Sequence, residues 1–109
     1  MATTRKVLAQ STPSAATSTT LYTCPSSTDT VISFVSVCNR SSTPTSYRLG
    51  IDVDAAGDGN SDYIHYDCPI GANETHYVMQ GATLDASDLI RCYATLATLT
   101  FTACGQENS

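Results

Sequence analysis

Short runs of β-branched and aromatic residues, each closed by a cluster of turn formers, recur along the whole chain, and this rhythm is what most narrows the fold. Apolar alternation or short apolar runs predict strands near 6–10, 19–23, 30–40, 45–53, 62–68, 74–79, 89–96 and 98–105. The intervening stretches "PSSTD", "SSTP", "DAAGDGNS", "PIGAN" and "GATLDASD" consist of residues that favour turns. Regular spacing of eight short strands predicts an all-β chain, a single β-sandwich domain of jelly-roll type covering 1–109 behind a short extended N-terminal segment.

Composition agrees where it bears on the fold. Thr and Ser are abundant, Trp is absent and Lys and Glu are scarce, which suits strands and turns better than helices. At 109 residues the chain can bury only a modest core, so additional staples would help it. The net charge of −5, with five scattered basic residues, opposes binding to a phosphate backbone, so no nucleic-acid partner is expected. No apolar run is long enough to span a bilayer, and the two basic residues of the N-terminal stretch precede no apolar segment. Neither membrane association nor export is expected from these residues.

Five cysteines in such a chain are therefore the feature that needs a role, because structural disulfides are rare in a reducing cytosol. Side chains two apart share a face of a strand. By that parity Cys92 falls with Ile90 and Ala94, and Cys38 with Ile32 and Phe34, so both are expected in the core or in an intra-chain contact. Cys104 shares parity with Thr98, Thr100 and Thr102 and is expected to face outward. Cys24 and Cys68 each precede a proline, in "YTCPSS" and "YDCPIG". Proline lacks the N–H that a ladder needs, which predicts strand ends at the sheet rim for both. An odd count leaves one thiol without a partner in its own chain, pointing to a bond between chains. Cys104 is the first candidate, with Cys24 and Cys68 next.

Other chemistry is less well supported. No Cys-x-x-Cys pair or His pair offers a zinc knuckle, and no cofactor is expected. The acidic loop "DVDAAGDGNSD" raises a calcium alternative through Asp52, Asp54, Asp58, Asn60 and Asp62. The Gly and Glu that an EF-hand requires are replaced by Tyr63 and Pro69, so a surface turn is the simpler account. His65 and His76 both fall in strands, His65 at an expected exposed position. No nucleophile elbow, phosphate loop or cysteine-hydrolase signature is present, and no enzymatic activity is expected.

Several stretches, "KVLAQSTPSAATSTTLYT", "VCNRSSTPTSYRLGI", "YIHYDCPIGANETHYV", "GATLDASDLIRCYATLATLTFTACG" and "QENS", together cover nearly the whole chain. They resemble a group of small virion-associated proteins of tailed bacteriophages. The resemblance implies a small β-sandwich that decorates or links capsid, collar or tail subunits, and it brings no active site. The sequence departs from the group at Cys24, Cys68, Cys92 and Cys104, where Val or Phe is the associated residue.

A virion setting would reconcile the thiols with the compartment. Particles assemble in the host cytoplasm with thiols reduced, and lysis exposes them to an oxidising medium in which preplaced pairs close. The expected partners are thus other virion proteins and further copies of the chain, a trimer being one arrangement. The competing expectation is a carbohydrate- or receptor-binding module of a tail fibre, for which Tyr22, Tyr47, Tyr63, Tyr66, Tyr77 and Tyr93 would have to supply exposed platforms.

Overall fold

The computed structural model describes residues 2–55, 57, 59 and 62–109. Nine strands are present among them: β1 (Thr3–Ser11), β2 (Thr19–Thr23), β3 (Asp29–Asn39), β4 (Thr45–Asp52), β5 (Tyr63–Ile70), β6 (Thr75–Val78), β7 (Thr83–Leu84), β8 (Leu89–Ala94) and β9 (Leu99–Asn108). They form two antiparallel sheets, one ordered β1-β9-β3-β6 with β7 also on β3, the other β2-β8-β4-β5. With the two-residue β7 set aside, these are the eight strands and the strand order of a jelly roll, in agreement with the rhythm of the sequence.

The core lies between the inner faces. Ile32, Val35, Val37, Phe101 and Ala103 face it from one sheet, and Tyr47, Leu49, Ile90, Cys92 and Ala94 from the other. Tyr47 and Phe101 meet edge to face at 6.2 Å between ring centroids, a geometry that adds to the benefit of burying two large rings. A polar tie closes one end of the sandwich: the Tyr22 phenol reaches Glu107 and, at 3.0 Å, Thr30, while Lys6 pairs with Glu107 at 3.0 Å. This tie links β2 of one sheet to β9, β3 and β1 of the other.

Bulges re-aim the side chains. The β3–β9 register slips between Ile32 and Phe34, and the β1–β9 register between Val7 and Ala9. The first slip adjoins Gly105 and the second lies one residue further along β9; a Cβ on Gly105 would lie 2.3 Å from the Val31 carbonyl oxygen and 3.1 Å from a Leu8 methyl. Only glycine lets the three strands come this close. Beyond the slip the alternation of β3 is inverted, so that Val35 and Val37 are buried while Phe34, Ser36 and Cys38 lie on the outer face. The expected inward position of Cys38 is corrected by this single extra residue.

Two further expectations are revised. Pro69 does not end β5, because Pro69 pairs with Ser46 on a strand at the sheet edge, where a missing N–H leaves no ladder bond unmade. The two-residue strand β7 is additional to the eight expected, since two residues carry no period. The exposed edge strand β1 carries Arg5 and Lys6 and the bulge at Val7, features that oppose edge-to-edge pairing.

Candidate functional site

The outer face of the β1-β9-β3-β6 sheet follows from these registers. Val7 of β1 stands opposite Cys104 of β9, and Cys104 opposite Phe34 of β3. Tyr77 of β6 completes the row, its ring edge-on to Phe34 at 5.4 Å between centroids. Val7 and Tyr77 are 54% and 61% exposed, so the row is open to solvent across four strands. Around it stand Thr100, Thr102, Ser36, Cys38 and Thr75, all uncharged, with Arg5 and Asp29 toward one end and Arg40 just beyond β3 at the other. Cys104 lies mid-row, flanked on both sides by apolar neighbours.

The other thiols divide by burial. Cys24 is 1% exposed, its Sγ lying 3.3 Å from the Thr28 carbonyl and 3.2 Å from the Thr30 hydroxyl, and burial pushes its thiol pKa up. The expected rim placement of Cys24 is therefore corrected: past the end of β2 the chain turns inward, its amide donating to the Asp88 carbonyl. Cys92 is equally buried, with a thiol pKa pushed up to about 11 by burial. Both are shielded and poorly reactive. Cys68 is half-buried on edge strand β5, opposite Tyr47. None of the five cysteines is paired within the chain.

The histidines belong to a network that the sequence did not reveal. The buried Tyr47 phenol donates to His76 Nδ1 at 2.9 Å, and His76 Nε2 donates to Glu74 at 2.8 Å. Burial and neighbouring Cys68 push the Tyr47 phenol up, while the Gly71 amide and His76 hold the Glu74 carboxyl below its ordinary value. His65 is half-buried against the Tyr47 ring, 6.0 Å away, rather than exposed. The cause is a register slip against β4 on each side of His65, between Cys68 and His65, where Asp67 takes a φ of 51°, and between His65 and Tyr63. Burial and the nearby His76 lower the pKa of His65.

The acidic loop is partly committed to structure. Asp52 is 1% exposed; its oxygens accept from Arg91 at 3.0 and 3.1 Å and from the Gly57 amide at 3.1 and 3.2 Å. Asp54 donates its amide to Asp88, and Asp62 accepts from the Gly59 amide. Asp58 and Asn60 lie outside the described residues. Among the described residues no three His, Cys, Asp or Glu side chains gather in a way that could hold a metal ion.

The tyrosines also separate. Tyr22 and Tyr47 are buried, Tyr77 belongs to the apolar row, and Tyr63, Tyr66 and Tyr93 gather on the outer face of the other sheet. Comparisons with family models, with curated proteins and with solved structures found no match.

Proposed function

We propose that the chain is a non-enzymatic structural protein of a phage virion, which decorates or links shell, collar or tail subunits and pairs with a second copy of itself through the outer face of the β1-β9-β3-β6 sheet. The row Val7–Cys104–Phe34–Tyr77 carries this reading. Copies with a net charge of −5 repel one another, and this face is uncharged over most of its area. The central thiol of the row meets its own copy only on a two-fold axis, where each subunit presents the same patch. Such an axis through Cys104, run parallel to the strands, sets Val7 of one copy near Phe34 of the other, apolar against apolar.

Once docked, the two Cys104 thiols can lose two protons and two electrons to an oxidant of the medium, oxygen or a small disulfide, and form one S–S bond. The bond needs Cα atoms within about 7 Å, a separation that the inter-sheet disulfide of antibody domains attains between packed sheets. A jelly roll is shared by capsid and lectin domains, so the fold is compatible with this reading by analogy alone.

Two observations test it. Purified particles of the phage that encodes the chain should contain it in fixed proportion to the shell protein; its absence refutes the virion role. In solution, the oxidised protein should sediment as a dimer and Phe34→Asp as a monomer; a Phe34→Asp dimer refutes the face.

A further inference from the structure

The opposite side of the sandwich carries a second, independent site. Arg48, Gly50 and Asp52 alternate on the outer side of β4, and β8 places Tyr93 beside Arg48 and Arg91 beside Gly50. From β5, Tyr63 stands opposite Gly50. These residues and Asp62, with Ala16, Ser18 and Cys92, line an open cavity of about 260 Å³. Gly50 shapes it: a Cβ there would lie 2.7 Å from the Asp62 carbonyl oxygen, so the missing side chain lets the Asp62 backbone close over the sheet and form a wall.

Both guanidinium groups are held in fixed orientations. Arg48 lies between the rings of Tyr66 and Tyr93, 4.2 and 4.4 Å from their centroids, and donates to Asp67 at 2.7 Å. Arg91 donates to Asp52 at 3.0 and 3.1 Å and to the Thr20 hydroxyl at 3.3 Å. The site thus has planar donors locked by their neighbours and the Asp62 carboxylate in its wall, beside the tyrosine rings of Tyr63 and Tyr93. Such preorganisation spares a ligand the cost of ordering its site.

Charge selects the ligand class. Arg48 and Arg91 are offset by Asp52, Asp62 and Asp67, so no excess positive charge remains to attract an anion. The cavity is slightly smaller than the roughly 300–1,000 Å³ usual for drug-sized ligands. A ligand matching all of this is small, uncharged and rich in hydroxyl groups, with an apolar face to lie on a ring. We infer that the cavity between β4, β5 and β8 binds one neutral sugar residue of a glycan. Neighbouring hydroxyls would bridge the fixed donors and acceptors, and the C–H face of the ring would rest on Tyr63 or Tyr93. This role does not depend on pairing through Cys104.

The test is saturation-transfer NMR on the full chain with methyl glycosides of glucose, galactose, mannose, rhamnose and N-acetylglucosamine, and with glucuronate and sialic acid as anionic arms. At least one neutral glycoside should receive saturation, with millimolar affinity, and should shift the ring protons of Tyr63 and Tyr93. Tyr63→Ala and Tyr93→Ala should each weaken binding roughly tenfold, the result of losing one ring contact. Tyr93→Phe, which keeps the ring, should bind within a small factor of wild type, and Cys104→Ser should bind unchanged. If either alanine variant fails to fold, the Tyr63 and Tyr93 ring shifts in the wild type decide. The inference is overturned if no neutral glycoside binds, if binding leaves both rings unshifted, or if the anionic sugars bind more tightly than every neutral one.

Discussion

Replacing Asp52 separates a structural carboxylate from a calcium ligand. The side chain is 1% exposed and accepts from Arg91 and from the Gly57 amide, while the Arg91 side chain keeps 27% of its surface in water. Removing one member of a buried ion pair costs about 3–5 kcal/mol, because the other is left uncompensated. Since Arg91 can still rehydrate in part, Asp52→Ala should lose about 3 kcal/mol, at the low end of that range. For a domain near this size each kcal/mol moves Tm by roughly 4–8 °C, so the midpoint should fall by about 15 °C. Asp52→Asn keeps an acceptor for Gly57 and a neutral bond to Arg91, and should lose about half as much. Thermal unfolding followed by circular dichroism measures both, in calcium and in chelator. The reasoning is refuted if Asp52→Ala melts within about 3 °C of wild type, less than 1 kcal/mol for a domain of this size. A wild-type midpoint that rises with calcium and falls back with chelator would instead return Asp52 to the role of ligand.

Other consequences are simpler to read. Burial lowers the His65 pKa from its ordinary value of 6.5, so the unfolded chain binds the proton more readily. Stability is then complete above that value and declines as the pH falls below it; His65→Asn should remove this step from a series of denaturation midpoints. The Glu107 carboxyl, held below its ordinary 4.5 by Tyr22 and Lys6, should add a second loss as the pH falls below that value, one that Glu107→Gln abolishes. Gly105→Ala drives a Cβ to 2.3 Å from the Val31 carbonyl, and should cost about 1–3 kcal/mol or more in chemical denaturation.

Strand rhythm and turn chemistry made the sandwich legible, because period-two burial writes itself into sequence. The outward aspect of Cys104 could be read in the same way, since β9 is regular around it. Cys38 could not: one slipped register between Ile32 and Phe34 inverts the strand, and the glycine that permits it, Gly105, lies far away in sequence. The burial of Cys24 could not be read either, because Pro25 marks where a strand stops and says nothing about where the preceding side chain points. The apolar row, the Tyr47–His76–Glu74 chain and the Arg48–Tyr93 stack all join residues on different strands. Pairing register alone brings them together, and a single sequence does not state it.

Pairing through Cys104 can be read directly from the disulfides of purified particles. Under the virion role proposed above, particles collected after lysis of the host have their free thiols blocked, and the chain is digested without reductant and mapped by mass spectrometry. A Cys104–Cys104 linked peptide is expected as the main inter-chain bond, with Cys24 and Cys92 blocked only after denaturation. Particles that lack the chain, or that contain it with Cys104 free or with the bond at Cys38 or Cys68 instead, would contradict this expectation.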